Sequence, residues 1–580
     1  MRKESKKCIR SIFLAVLTAM LFVSCGGGGG GGGMVSFQNN SGFHNGGDAG
    51  GWGNGHQTSN NGLNGGSING SLSTKAGTFT PPNDIDWSSI ELTITVTSGG
   101  TTTTHTLANT ETEAIAELLT SLKRGDVVEV TADITMVDDD PRTTSSGAVT
   151  IGVGDNHISL PTPYKFECSM EMTRNMYEDY GCSNTPADAS VSGSQTGIYT
   201  VNNASSVIPP DASGTGFIFD HWETVPDGQV YVPGSSRGDV VISPVFKPDY
   251  SVAYTDLVDT IVITEQSEFT TLMNTHAAEN FSGKEIKLYC NVSTSTGFTN
   301  TTDGFQGTFN GQNHRVTESI SEDSELYAGL FYVLESCATI QNLTTAGSVT
   351  LNTTGGYDVG GIVGNVSGGN IQNCVNMATV LNNNESAPSG GIAGSLTSGS
   401  ITKCANKGNI SSSYYLAGGI TGNAETGSSI SECYNTANIT VNAGVIGANQ
   451  PHVGGIVGYN YSTPLQHCYN TGHITVTTTA TSAFAGGICG NNGAYGSSYQ
   501  LSYCYSGGNQ TVSAGVAFTG HIVGSQNNTS FSYVYCNNSA GSSVTATGTV
   551  SDANTALPNA FPSIWVAGSD GRPRLINNPE

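Results

Sequence analysis

The chain has 580 residues, of which 77 are glycine, and only 11% are charged, against roughly 25% in typical soluble domains. One hydrophobic core cannot serve that length, and a composition rich in Gly, Ser, Thr and Asn argues against helical bundles and for turn-rich β structure. Lys and Arg number 20 against 45 Asp and Glu, a formal net charge of −25 that repels phosphate backbones and disfavours nucleic acid as a partner.

Arg2, Lys3, Lys6, Lys7 and Arg10 precede an apolar run from Ile12 to Val23 that is too short to span a membrane, so residues 1–24 read as an export signal peptide. Its end, Leu21-Phe22-Val23-Ser24-Cys25, resembles the lipobox of bacterial lipoproteins. The resemblance implies that Cys25 carries the lipid and becomes the mature N-terminus, anchoring the protein in the outer membrane and at the cell surface. Gly26 to Gly33 and the Gly/Asn-rich stretch after them make residues 25–76 a tether with a span of roughly 40 Å.

Ile90, Leu92, Ile94 and Val96, and then Val128, Val130, Ala132, Ile134 and Met136, alternate with polar residues, the period of half-buried strands. Residues 77–165 therefore read as a small β-sandwich, with Glu113 to Leu122 as a short helix or a crossover. Asp138-Asp139-Asp140 lacks the spaced ligands and glycine of a calcium loop and reads as a solvated turn. In residues 166–250, Phe219, Trp222 and the closing strand through Phe246 resemble the internalin-type β-grasp repeat of bacterial surface proteins, which implies a spacer or binding module. Cys168 and Cys182 lie in that module, and two cysteines alone leave their pairing open. Arg237-Gly238-Asp239 is a tripeptide that integrins bind in some ligands, which makes these three residues a candidate ligand-binding site. Gly234 to Gly238 also fits a nucleophile-elbow pattern, without the strand-turn-helix that aims a serine.

The strongest pattern is internal repetition. Gly360-Gly361-Ile362-Val363-Gly364 recurs beginning at Gly390, Gly418, Gly454 and Gly486, at intervals of 30, 28, 36 and 32 residues, with degenerate copies at Ala328 and Gly520. Each copy has a second half, such as Ile371-Gln372-Asn373-Cys374-Val375-Asn376, repeated through Cys404, Cys433 and Cys468. These two halves resemble the GLUG motif repeat, which implies a parallel β-helix on an exported, surface-associated protein. The fold class is therefore all-β, a right-handed parallel β-helix of about eight coils over residues 251–545, preceded by the two smaller β modules. Units of about 30 residues cannot bury an apolar face alone and must stack. Stacking predicts an inward row of free thiols from Cys374 to Cys504 and on to Cys536. It also predicts an asparagine ladder through Asn376, Asn406, Asn435 and Asn470, and glycines at positive-φ corners and close backbone approaches. A helix from Glu268 to Asn280, with Phe269, Leu272, Met273 and His276 inward, is the expected first cap. Residues 546–580, with Trp565 and Leu575 folded back over the last coil, are the expected second cap.

From Leu351 to Val550 the acids are Asp358, Glu385, Glu425 and Glu432, the lysines are Lys403 and Lys407, and there is no arginine. Without paired carboxylates or a carboxylate-cation cluster the chain reads as no enzyme. His452, His467, His473 and His521 fit no metal spacing, and no metal or cofactor is expected. The resulting reading is a surface lipoprotein that acts as an adhesin or ligand-binding protein, with a ligand-free envelope stalk as the alternative and a carbohydrate-active enzyme as a remote third. Its partners are the membrane, through the anchor, and a host or cell-surface protein or glycan, while small molecules are disfavoured. Tyrosines on the repeats (Tyr414, Tyr415, Tyr434, Tyr459, Tyr461, Tyr469, Tyr495, Tyr505) stack on sugars if they face outward together, and are core if they do not. The loops Val441 to Pro451 and Asn491 to Gln500 are the expected sites of specificity. Substituting Cys25→Ala is expected to move the protein from the detergent phase to the soluble fraction, measured by detergent partitioning and blotting.

Overall fold

The computed structural model describes residues 70–73, 78–80, 90–108, 110–135, 141–153, 156–199, 209, 211–233, 238–353, 355–444, 450–493, 499–526, 529–532, 534–536, 550–552, 563–569, 572–576 and 578. Cys25, Asp138 to Asp140, Arg237 and Tyr495 lie outside the described residues. The protein is nearly all β, with two α-helices among the described residues, and its larger part is a parallel β-helix preceded by smaller, largely antiparallel sheets.

In the first module, strands Glu91–Ser98, Thr101–Ala108, Val127–Thr135 and Pro141–Ser145 pair antiparallel around 91–98 and 127–135. The period-2 pattern puts Leu92, Ile94, Val96, Val128, Val130, Ala132 and Ile134 on one buried face. Helix Thr112–Ser121 covers that face through Ile115 and Leu119, as does strand His157–Leu160 through Ile158 and Leu160. The ambiguous segment is thus a helix, and the layer facing the main sheet is part helix and part a three-stranded sheet.

In the second module, Val240–Pro248 pairs antiparallel with Phe217–Val225 and parallel with Tyr164–Cys168 and Arg174–Asn175. Phe219 is partly buried and packs against the core, 5.4 Å from the Trp222 ring and 6.2 Å from that of Phe246. Cys168 is buried in this core and Cys182 in the head of the β-helix, beside Tyr177 and Tyr250, and both thiols are free.

The β-helix has four parallel sheets, and one coil visits them in order. Using the coil of Asp358, sheet A holds Asp358–Gly360, sheet B Val363–Val366, sheet C Asn370–Gln372, and sheet D Val375–Asn376 with Thr379–Asn382. Sheets A and B have seven strands each, giving about seven full turns where the repeat spacing suggests about eight. Sheet C has ten, because the head coils supply strands there without a matching strand in A or B. The interior of those head coils is filled by Phe281, Phe298, Phe305, Phe309 and Phe331, whose rings contact one another. Helix Gln266–His276 starts in a capping box between Glu265 and Glu268 and buries Phe269, Leu272, Met273 and His276.

Two internal rows run along the stack. Cys374, Cys404, Cys433, Cys468 and Cys504 are fully buried and free, and pack in the same core as Ile362, Ile392, Ile420 and Ile456. Two residues on, Asn376 Nδ2 donates to Asn406 Oδ1 at 2.9 Å, Asn406 to Asn435 at 2.8 Å and Asn435 to Asn470 at 2.8 Å. Each of these amides also donates to the carbonyl two residues further along its own strand, so none wastes a donor. The turn before each cysteine is left-handed, and the residues that take it are not glycines. Asn373, Lys403, Glu432, His467 and Tyr503, and Asn342 before Leu343 at the equivalent position, all have φ of 53 to 54°. Backbone bonds between neighbouring turns, such as Asn373 N–H to Thr402 O at 3.1 Å, hold these residues in a conformation that costs each of them roughly 1 kcal/mol.

The C-terminal segment is a hairpin of Trp565–Ala567 and Pro573–Leu575, in which Trp565 pairs with Leu575. It lies along the flank of the coils, not over the last one: Trp565 and Leu575 cover Tyr434, Tyr469 and Tyr505, and Asn578 Nδ2 donates to Cys404 O and Glu432 O. Cys337 is exposed whereas the ladder thiols are sealed, so native alkylation followed by mass spectrometry is expected to label Cys337 and spare Cys374 to Cys504. Alkylation in denaturant without reductant is expected to label all of them as free thiols.

Candidate functional site

The repeated Gly-Gly-Ile-x-Gly segment bends the chain from sheet A into sheet B, and each glycine is required by a contact. At the first glycine (Gly360, Gly390, Gly418, Gly454), a Cβ would sit 1.8 to 2.0 Å from the carbonyl oxygen three residues on. At the second, it would strike the asparagine ladder: 2.4 Å from Asn376 at Gly361, 2.2 Å from Asn406 at Gly391, 2.3 Å from Asn470 at Gly455. At the third (Gly394, Gly422, Gly458, Gly490), it would lie 2.4 to 2.7 Å from the sheet A backbone of the preceding coil. Sheets A and B therefore fold tightly together, and the bend presses inward onto the ladder. The core is split accordingly, with Ile362, Ile392 and the cysteines in one compartment and Val359, Ala417 and Val453 with sheet D in the other. An inward bend leaves a concave outer surface.

Two rows line this groove. Sheet A contributes the residue two before the first glycine, so that Leu416, His452, Phe484 and Phe518 are register neighbours. Sheet B contributes the residue after the third glycine, giving Asn365, Ser395, Asn423, Tyr459 and Asn491. His452 stacks on Phe484 at 5.0 Å, Phe484 on Phe518 at 4.7 Å, and the Tyr459 ring meets His452 edge-on at 5.3 Å across the groove. The groove deepens to a cleft of about 330 Å³ bounded by Tyr415, Leu416, Asn423, Glu425, His452, Tyr459 and Tyr461.

Its electrostatics are acidic. Burial pushes the Asp358 carboxyl up to about 7, against the Ser395 hydroxyl that donates to it, and the Glu425 charge raises it further. Burial likewise lowers His452 to about 4, so its imidazole is neutral at physiological pH. The buried atoms Asn365 Oδ1, His452 Nδ1 and Asn491 Oδ1 have no hydrogen-bond partner in the folded chain. Lys403 lies at the left-handed turn before Cys404, and Lys407 lies over Tyr434, so neither reaches the groove. A larger cleft of about 870 Å³ at the head of the β-helix is polar, and two of its charged groups are already engaged, Lys284 with Leu257 O and Glu335 with Ser367.

Of the residues singled out from the sequence, Gly238 and Asp239 are described and Arg237 is not. Asp239 accepts both Arg142 guanidinium nitrogens at 2.6 Å and the Lys165 N–H at 2.9 Å, and Gly238 O accepts the Tyr199 hydroxyl. Burial raises the Asp239 carboxyl, but these donors outweigh it and hold the group below its ordinary value. This pair joins the first module to the second. The repeat tyrosines divide between two faces: Tyr415, Tyr459 and Tyr461 line the groove, whereas Tyr434, Tyr469 and Tyr505 lie beneath the C-terminal hairpin. Tyr414 is buried against Tyr415 at 3.9 Å. Residues 445–449 and 494–498 of the two proposed specificity loops lie outside the described residues. The groove rows were legible as variable positions at fixed offsets from an otherwise constant motif, a signal that the search for catalytic spacings passes over.

No protein-family model matches the sequence, and no curated protein matches it. Among solved structures, the fold is similar to a Bacteroides ovatus protein named as a candidate immunoglobulin A1 protease, at 18% identity and a TM-score of 0.33 over 57% of this chain and 95% of that one. It is also similar to a structure named IgA1 protease, at 13% identity and a TM-score of 0.33, over 78% of this chain and 29% of that one. The reading that the chain is no enzyme is corrected to this extent: the two solved structures of similar fold are named as IgA1 proteases. At this TM-score neither structure passes an activity or a substrate to this chain. Among the described residues no group of three or more His, Cys, Asp or Glu is placed to hold a metal ion, and no helix is long and apolar enough to cross a membrane.

Asp358 sets a pH dependence. Its unfolded pKa is about 3.9 and its folded value is about 7, so the folded state holds the proton more tightly and loses stability as pH rises from about 4 to 7. Asp358→Asn removes that loss, and urea unfolding is expected to show the variant more stable than the parent by about 2–4 kcal/mol at pH 8 and nearly equal to it at pH 4.

Proposed function

We propose that the protein is an exported, lipid-anchored surface protein whose β-helix acts as an adhesin, holding an extended extracellular ligand in the groove between sheets A and B. The observation that carries this reading is the groove itself, where aromatic side chains from successive coils stand open in a concave surface built by the repeated glycine bend. A groove of this form makes many similar contacts along its length, and repetition of weak contacts gives avidity. The charged N-terminus with its lipobox-like end supports export and anchoring at Cys25, and the Gly-rich tether after it supports display away from the membrane. The likeness of the repeats to the GLUG motif and of the second module to the internalin-type β-grasp supports a surface location.

The test is attachment of cells that display the protein. Tyr459→Ala with Tyr461→Ala, at equal surface level by antibody staining, is expected to lower attachment at least several-fold, whereas Asp239→Ala leaves it near the parent value. Attachment that survives the double substitution and removal of the whole β-helix would replace the adhesin with the ligand-free stalk.

A further inference from the structure

We infer that the groove takes an uncharged linear glycan, laid along the axis of the β-helix with its sugar rings against the sheet A and sheet B rows. This inference rests on the adhesin reading of the same groove and adds the chemical class of the ligand.

Four features select that class. The groove offers ring edges in series with tyrosine rings beside them: His452, Phe484 and Phe518 stack on one another at 5.0 and 4.7 Å, so that their edges line the groove, and Tyr459 and Tyr461 lie near-parallel at 6.2 Å. Successive coils are about 4.8 Å apart, comparable to the length of one pyranose, so successive sugars meet successive residues of each row. Aromatic rings stack on the C–H faces of sugars without needing charge.

The second feature is the set of unpartnered buried atoms. Asn365 Oδ1, His452 Nδ1 and Asn491 Oδ1 all belong to the two groove rows, are sealed from solvent and lack a partner in the folded chain, so a ligand dense in hydroxyl groups that turns these side chains outward satisfies them. A neutral His452 can accept such a hydroxyl at Nδ1.

The third is charge. Glu425 is the acid that lines the cleft, Asp358 is buried beside it, and Lys403 and Lys407 lie elsewhere, so a sulfated or uronate chain finds no cation there to pair with. Glu425, held by Asn423 Nδ2 at 3.1 Å, presents a carboxylate that accepts paired hydroxyls.

The fourth is the backbone. A peptide in extended form binds chiefly by adding a strand to a free sheet edge. Along this groove the main chain is already paired coil to coil, as in Ile392 N–H to Ile420 O at 3.0 Å and Ile456 N–H to Ile488 O at 2.9 Å. Side chains are what remains to be read.

The experiment uses the full mature chain, titrated by calorimetry with neutral linear oligosaccharides of increasing length, a heparin-type sulfated oligosaccharide, and extended synthetic peptides. The expected result is binding to at least one neutral series, with affinity that rises with chain length and is unchanged by added salt. Tyr461→Ala, at a site nearly half exposed and therefore safe for folding, is expected to weaken it about tenfold, the loss of one stacked ring. Binding confined to the sulfated chain or to peptides would overturn the inference, as would binding that Tyr459→Ala and Tyr461→Ala both leave unchanged. If the groove substitutions abolish cell attachment yet no neutral glycan binds, the adhesin reading stands and the glycan inference fails. If attachment is indifferent to the groove, both fail.

Discussion

The contact between the second glycine of each bend and the asparagine ladder is the constraint on which the rest of the β-helix depends. A methyl group at Gly391 would overlap Asn406, and one at Gly455 would overlap Asn470. The same asparagines bond one another through four successive coils. Ladder and bend therefore fix each other's position: the amides can stack only if the backbone comes close, and the backbone comes close only because no side chain intervenes. The two core compartments, the tight joint between sheets A and B, and the groove outside it follow from that one approach.

The groove adds few charges, and most of those are costly. Asp358 is buried and its carboxyl is pushed up to about 7, and Glu318 sits fully buried inside the stack with its carboxyl driven well above the ordinary range by burial. A fold with so few cations cannot neutralise such groups in ion pairs, so it protonates them. Two ion pairs serve joints: Arg142, almost wholly buried, and Asp239 tie the first module to the second. Lys247 with Glu265 and Glu268 ties the second module to the β-helix cap.

The sequence announces the coils because a stacked structure must repeat its inward residues. Ile362, Cys374 and Asn376 recur at fixed offsets, and the structure places each of them inside. Glycines take left-handed corners between sheets B and C at Gly369, Gly399 and Gly427 and close approaches in the repeated motif, but the corner before sheet D is held by Lys403, Glu432, His467 and Tyr503, whose residue types do not signal it, because pairing between neighbouring turns overrides the local preference. The groove was harder to read for a related reason. Its residues differ from coil to coil (Leu416, His452, Phe484, Phe518): their offset from the repeated glycines is constant, but their residue types carry no common signal, and that they line one groove follows from the register of the coils. The fate of the tyrosines was likewise unreadable, since Tyr459 and Tyr469 are ten residues apart with similar neighbours. Only the C-terminal hairpin, folding back across the flank, covers one and leaves the other open.

The most direct test of the account is the stability lost on removing one amide of the internal ladder compared with one on the outer surface. Asn435 is fully buried and bonds Asn406 and Asn470, whereas Asn383 is exposed and bonds Asn352 at 2.7 Å. Denaturant unfolding of Asn435→Ala is expected to show a loss of about 3 kcal/mol, from unpaired buried neighbours, against roughly 0.5 kcal/mol for Asn383→Ala. Equal and small losses for the two variants would contradict the claim that the ladder and the glycine bend hold the β-helix together.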